Sequence, residues 1–146
     1  MCLLYDWGIE MEQILNTLYL GSLLDGYTIT KHQAIQHIVN LSQFSYPCES
    51  RPVTHAPFPD ETYIHPELWQ RLVLMLEGLL CTTTVLVHCR LGVSRSPALV
   101  AAYLAKIQQT TPWEALKYIR AKRPMVSPHT ETWKGVMEWW KVYGIN

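Results

Sequence analysis

The segment 85–97, VLVHCRLGVSRSP, contains a thiol and a guanidinium group separated by five residues, at Cys89 and Arg95. A cysteine thiolate is a strong nucleophile near neutral pH when its pKa is lowered. The planar fork of an arginine binds two oxygens of one phosphate group and follows the charge that develops on them. These residue types are suited to attack of sulfur on a phosphate monoester, but the spacing alone is a weak signal, and the surrounding elements supply the specificity.

The elements around Cys89 support that chemistry. Residues 85–87 form an apolar run that predicts a buried strand, and residues 96–107 predict a largely apolar, central helix with Pro97 in its first turn. A loop from a strand into a helix turns its amides inward and forms an anion-binding nest at the helix N-terminus. Gly92 allows the tight path. We expect the same amides to lower the pKa of Cys89.

The rest of the chain predicts one α/β domain over residues 1–146. Strands are predicted at 17–20 and 37–41, and Thr30 with Gln33 resembles a capping box that opens a short helix. Four prolines between residues 42 and 59 predict an exposed connection. Further helices are predicted from Pro66, from Thr111 and from Ser127.

Apolar spacing assigns a buried face to two of these helices. The face of the first is predicted to hold Leu68, Leu72, Met75, Leu76 and Leu79. The face of the last is predicted to hold Trp133, Val136, Met137 and Trp140. The adjacent Trp139 and Trp140 cannot both face one core on a single helix, so we expect one of them to be more exposed.

Composition excludes several functions. With 12 basic and 12 acidic residues, the chain has no overall field to attract nucleic acid or an anionic membrane, and we expect neither as a partner. No apolar run approaches the roughly 20 residues that span a bilayer, and the start MCLLYDWGIEMEQ does not resemble a secretory leader. Four cysteines without a CxxC pair, and histidines without ligand spacing, predict reduced thiols, a cytoplasmic location, no metal and no cofactor.

The segment HCRLGVSRSP resembles the signature loop of the protein tyrosine phosphatase superfamily, and of its dual-specificity branch in particular. The similarity extends to residues 16–21 and 38–42, which are similar to that branch's opening strands, and to Arg123-Pro124 followed by Pro128. It covers nearly the whole chain. The resemblance implies a protein tyrosine phosphatase-like fold with a central, mostly parallel sheet flanked by helices. The chain departs from the family after Pro128. Family members often have asparagine and then phenylalanine there, whereas this chain has His129 and Trp133 nearby.

The resemblance also implies roles for individual residues. Cys89 is expected to be the nucleophile, and Ser96 to hydrogen-bond the departing thiolate. His88 is expected to help set the Cys89 pKa and to fix the loop, which is compatible with simple packing at a strand end. Asp60 is expected to be the general acid, with Glu61 as its rival and a plain turn after Pro59 as the alternative. The phosphate-binding residues are expected to be Arg90, Leu91, Gly92, Val93, Ser94 and Arg95.

Several functions fit these residues. We expect a hydrolase, a protein phosphatase that forms a phosphocysteine intermediate and acts on phosphorylated proteins or peptides. The chain is much shorter than tyrosine-only relatives, which implies a shallow mouth open to phosphoserine and phosphothreonine as well as phosphotyrosine. The alternatives are the same chemistry on a phosphoinositide or an RNA 5′ phosphate, a non-catalytic phosphate-binding pseudophosphatase, and a rhodanese-type sulfurtransferase. Cys81 is expected to be a buried structural thiol rather than a disulfide partner of Cys89.

Overall fold

The computed structural model describes residues 11–144, without the side chain of Lys31. These residues form five strands, which are β1 (Glu12–Leu15), β2 (Leu18–Gly21), β3 (His37–Asn40), β4 (Val53–His55) and β5 (Val85–His88). The same residues form five helices, which are α1 (Leu23–Tyr27), α2 (Pro66–Leu80), α3 (Arg95–Gln108), α4 (Pro112–Lys122) and α5 (Thr130–Trp139). A 3₁₀ turn occupies Ile29–Lys31, and a π-helical turn at Trp140–Gly144 follows α5.

The strands form one mixed sheet in the order β1-β2-β5-β3-β4. The β1–β2 pair is antiparallel, and the other three pairs are parallel. The predicted α/β class with a mostly parallel sheet is therefore confirmed. His88, the last residue of β5, pairs with Gly21 of β2 and with Asn40 of β3. The carboxyl ends of three neighbouring strands thus meet at one edge of the sheet.

The two elements on either side of Cys89 lie deepest in the molecule. Every residue of β5 is buried, and so are all eleven residues of α3 from Arg95 to Ala105. The central position predicted for this helix is confirmed, because an apolar helix surface on all sides requires neighbours on all sides. Helices α4 and α5 pack on α3, and α2 packs against both α3 and α5.

Several local predictions were wrong. The capping box lies at Ser22 and Asp25, where it opens α1, and not at Thr30 and Gln33. The proline-rich connection contains β4, and β1 was not predicted at all. Leu68 is exposed on α2, where Trp69 takes the buried position instead.

At the end of the chain, Trp139 and not Trp140 is the fully buried tryptophan, because the face of α5 is rotated from the predicted one. Helix α5 begins at Thr130 with His129 as its N-cap, three residues after the predicted start. Among residues 11–144, no helix is long and apolar enough to cross a membrane. The start of the chain, on which the expectation of no secretory leader depends, lies outside the described residues.

Candidate active site

The loop between β5 and α3 has its carbonyl groups turned outward. The Arg90 carbonyl accepts from the Leu23 N–H at 2.9 Å, and the Val93 carbonyl accepts from the Ser127 N–H at 2.8 Å. Between them, Arg123 donates from Nη2 to the Leu91 carbonyl at 3.2 Å and from Nε to the Gly92 carbonyl at 3.0 Å. In a planar trans peptide the C=O and the next N–H point in opposite directions. The amides that follow these four carbonyls therefore face the inside of the loop, where they form an anion nest.

Gly92 is required by this path. Its φ is +71°, in the left-handed region that favours glycine. A Cβ at this position would lie 2.5 Å from the Gly21 carbonyl oxygen and 2.8 Å from Nη2 of Arg123. Any side chain would push the loop away from β2 and from the arginine that holds its carbonyls.

Cys89 lies buried at the base of the nest, with Sγ 3.2 Å from the Ser96 hydroxyl. Burial by itself raises the pKa of the thiol. Hydrogen bonds from the Ser96 hydroxyl and from the amides of Ser96 and Gly92, together with the charge of Arg95, outweigh burial and bring the pKa of Cys89 below its usual range. The site therefore favours a thiolate, as the sequence predicts.

Arg95 extends from the first turn of α3 along the side of the nest and is almost fully buried. Its Nη1 donates to the Phe58 carbonyl at 3.2 Å and to the Leu41 carbonyl at 3.4 Å. Its Nε lies 3.6 Å from Oδ1 of Asp60 and has no hydrogen-bond partner among the described residues. The guanidinium thus connects the end of β3 with the segment that carries Asp60.

Asp60 and Glu61 both line the cleft above Cys89. The Asp60 side chain is about half exposed, and its Oδ1 accepts a hydrogen bond from the Glu61 N–H at 2.9 Å. Glu61 itself has a φ of +56°. Two residues before Asp60, the buried Phe58 ring packs edge-to-face on Trp69 at 5.5 Å. The structure brings both candidate acids to the mouth of the nest, with Asp60 the one paired to Arg95.

His88 lies beneath the loop rather than in the cleft. Its Nδ1 is 2.8 Å from the Cys89 carbonyl, which only accepts, so Nδ1 carries the proton and donates. Nε2 then accepts from the Tyr46 hydroxyl at 2.7 Å. Burial, aided by the nearby His55 and opposed by the hydrogen bond to the Cys89 carbonyl, lowers the pKa of His88 to about 4. His88 is neutral at physiological pH and contacts the loop through its backbone.

The space for this pair is made by a second glycine. A Cβ at Gly26 of α1 would lie 2.3 Å from the Tyr46 hydroxyl and 2.5 Å from Nε2 of His88. The Tyr46 ring also stacks on His88 with ring centroids 5.8 Å apart. Tyr46 was not identified from the sequence, because it lies in the proline-rich connection, 42 residues before His88.

The segment between α4 and α5 also holds the loop. Besides the bonds from Arg123 and Ser127, the His129 N–H donates to the Ser94 hydroxyl at 2.9 Å. Residues 127–130, which include His129, line the same cleft as Asp60 and Glu61. In the sequence, this segment was marked by the spacing of Arg123-Pro124 and Pro128, and no function was assigned to these residues. The structure shows that the Arg123 guanidinium, only 1% exposed, is a direct support of the nest.

Among the predicted phosphate-binding residues, the cleft is lined by Arg90, Leu91, Val93, Ser94 and Arg95. Gly92 and Ser96 lie buried behind it. Within residues 11–144, no group of three His, Cys, Asp or Glu side chains could hold a metal ion.

Cys81 is a free thiol and is exposed, so the predicted burial is wrong. It caps the end of α2, before β5, whereas Cys89 is buried directly after β5.

A thiol of lowered pKa in an amide nest, beside a buried arginine and below a carboxylate, defines the site of a cysteine-based phosphatase. Comparison with known proteins identifies the family. The model described as dual specificity phosphatase, catalytic domain, matches residues 18–142. The chain belongs to this family.

The chain is 34% identical to human dual specificity protein phosphatase 5 over 134 residues, which cover 86% of this chain and 34% of that protein. It is 25% identical to the putative tyrosine phosphatase 123R of Invertebrate iridescent virus 6 over 122 residues, covering 83% and 85% of the two chains. The chain is also 28% identical to human dual specificity protein phosphatase 8, and the aligned region covers 21% of that protein. The chain thus spans about a third or less of the human relatives named here.

Solved structures share the fold. The human tyrosine phosphatase-like serine/threonine/tyrosine-interacting protein aligns with a TM-score of 0.81 at 23% identity, covering 92% of this chain and 98% of that one. DUSP15 aligns with a TM-score of 0.78 at 23% identity, covering 90% and 87%.

Proposed function

We propose that this chain hydrolyses phosphotyrosine, and also phosphoserine and phosphothreonine, in proteins through a phosphocysteine intermediate on Cys89. The observation that carries the proposal is the set of outward carbonyls at residues 90–93, which leaves an amide nest around a thiol of lowered pKa. Such a nest stabilises the equatorial oxygens of a phosphoryl group in the transition state.

In the first step the Cys89 thiolate attacks phosphorus, the S–P bond forms and the P–O bond to the substrate side chain breaks. Asp60, protonated, gives its proton to the departing oxygen. Arg95 binds two phosphoryl oxygens with its fork, for which Nε is available because it lies 3.6 Å from Asp60 and has no hydrogen-bond partner among the described residues. Asp60 then leaves this step as a carboxylate.

In the second step water attacks the phosphocysteine, and the S–P bond breaks to release inorganic phosphate. The Asp60 carboxylate takes a proton from the water as it attacks. The Ser96 hydroxyl, 3.2 Å from Sγ, donates a hydrogen bond to the departing thiolate and stabilises its charge. His88 acts as a positioning residue through the Cys89 carbonyl and carries no charge in either step.

The charge around the cleft favours a single phosphate. Among the described residues that line the cleft, Arg90 adds a guanidinium to that of Arg95, and Asp60 and Glu61 add two carboxylates. A ligand with several phosphates would meet these carboxylates at close range, which is unfavourable. The human relative matched at 34% identity is a dual specificity protein phosphatase, which supports a phosphorylated protein as substrate. We also propose a reducing, cytoplasmic environment, since Cys48, Cys81 and Cys89 are all free.

The test is phosphate release from matched phosphotyrosine, phosphothreonine and phosphoserine peptides and from a soluble phosphoinositide, all with a chelator present. We expect turnover of the peptides, fastest with phosphotyrosine because its aryl oxygen departs most easily. Cys89→Ser is expected to abolish turnover and to retain vanadate binding, because the amides remain. Turnover by Cys89→Ser refutes the covalent mechanism, and a tenfold preference for the phosphoinositide refutes the protein substrate.

A further inference from the structure

Four large apolar side chains are exposed on the loops beside the nest. Leu24 and Tyr27, on α1 after β2, are 42% and 64% exposed, Phe44 after β3 is 52% exposed, and Leu91 after β5 is 64% exposed. These loops leave the carboxyl ends of three neighbouring parallel strands, which lie in register at one edge of the sheet. The four residues, named here the apolar rim, therefore lie on the same edge of the molecule as Cys89.

The apolar rim stands on a backbone that is held in place. Tyr27 packs edge-to-face on Tyr46 with ring centroids 6.1 Å apart. The Phe44 carbonyl accepts from Nδ2 of Asn40 at 2.7 Å, and the Phe44 N–H donates to the Ser42 hydroxyl at 3.3 Å. Side chains on an ordered backbone lose less entropy when a ligand covers them. The side chains of the apolar rim are therefore held by an ordered backbone, which suits them to binding.

The charges near the cleft disfavour a highly anionic occupant for this surface. Arg90 lies next to the rim and lines the cleft, and Asp60 and Glu61 line the same cleft. The carboxylate on α1, Asp25, is engaged by the hydroxyl and amide of Ser22. An apolar ligand segment finds four large side chains here, whereas additional phosphates would meet two carboxylates beside Arg90.

We propose that the apolar rim binds the residues that flank the phosphorylated side chain, so that the preferred substrate is a phosphoprotein segment with large apolar residues beside the phosphorylated one. The inference rests on the proposed function, because the phosphate in the nest determines where the rest of the substrate chain lies. A peptide whose phosphate contacts Cys89 continues across the adjoining surface. Apolar flanking residues remove both their own surface and that of the rim from water.

The experiment measures kcat/KM for three phosphotyrosine peptides of equal length, whose flanking residues are Leu, Asn or Asp, and for p-nitrophenyl phosphate. We expect the Leu peptide to exceed the Asp peptide by about tenfold, roughly 1.4 kcal/mol. In the double variant Leu24→Ala/Phe44→Ala this ratio is expected to fall below about threefold. The matched control is Leu74→Ala on α2, because Leu74 is 48% exposed and does not line the cleft. It is expected to keep the wild-type ratio.

A parallel arm measures the affinity of Cys89→Ser for the same three peptides, labelled with a fluorophore, and for vesicles of phosphatidylcholine with 5% phosphoinositide. Equal kcat/KM for the three peptides contradicts binding of the flanking residues by the apolar rim and leaves the proposed function intact. If the wild type hydrolyses nothing, the proposed function fails, and the affinity ratio still tests the rim. Tighter binding to the vesicles than to the Leu peptide contradicts the proposal that the apolar rim binds a phosphoprotein segment.

Discussion

Arg123 supports the nest through its carbonyls and does not line the cleft, and its replacement tests whether the nest depends on outward carbonyls. The change is Arg123→Met, which keeps most of the side-chain volume and removes the two donors to the Leu91 and Gly92 carbonyls. A hydrogen bond from a charged donor contributes about 1.5–3 kcal/mol. Two such bonds amount to roughly 3–6 kcal/mol, divided between folding stability and the position of the loop.

If about half of this energy acts on the loop, the loss of transition-state stabilisation is about 1.5–3 kcal/mol, or roughly 10- to 150-fold in kcat/KM. The amides of Gly92 and Ser96 help to lower the pKa of Cys89, so a displaced loop raises that pKa. The acid limb of the pH profile is therefore expected to move to higher pH. A residue that supports stability alone would leave this limb unchanged in the folded protein.

The assay is kcat/KM for p-nitrophenyl phosphate between pH 4.5 and 8, together with the rate of Cys89 alkylation by iodoacetamide over the same range. Circular dichroism and urea unfolding establish that each variant is folded. Arg120→Met is the matched control, because Arg120 lies in the last turn of α4, which Arg123 caps, and donates to the Val126 carbonyl at 3.0 Å. We expect it to stay within about twofold of the wild type.

Arg123→Lys is expected to recover part of the rate, since an ammonium group can reach one carbonyl but cannot bind two as a fork does. A folded Arg123→Met protein that keeps kcat/KM within about threefold, with an unchanged acid limb, would refute the reasoning. The inward amides would then be held by the bonds from Leu23 and Ser127 alone.

Two further predictions concern protons. Asp60→Asn is expected to slow hydrolysis of alkyl phosphates at least tenfold more than that of p-nitrophenyl phosphate, because only poor leaving groups need a proton. If Glu61→Gln shows this contrast and Asp60→Asn does not, the general acid is Glu61. Because the fold lowers the pKa of His88 from 6.5 to about 4, the unfolded chain binds more protons between these values, and the free energy of unfolding falls as the pH drops through them. Urea unfolding at pH 7 and pH 4 should show this contribution, roughly 3 kcal/mol, reduced in His88→Gln, and an equal pH dependence in the two proteins would contradict it.

Much of the fold could be predicted because burial leaves a pattern in the chain. The run 85–87 is apolar throughout and is a fully buried strand, and the apolar helix after it is central. The strands β1 and β4 were missed because they are edge strands of four and three residues with polar positions. Such short segments show no clear period of two, and only their neighbours in the sheet stabilise them.

The sequence by itself determined the path of the loop and which side chains it carries, because a strand, five residues with a glycine and a helix start are local features. Cys89, Gly92, Arg95 and Ser96 lie within eight positions, and their geometry follows from that short path. The distant groups depended on the tertiary structure. Arg123 is 31 residues from Gly92, and Tyr46 is 42 residues from His88. Hydrogen bonds over such separations exist only after the sheet order and helix packing bring the partners within about 3 Å, and no local pattern encodes that distance.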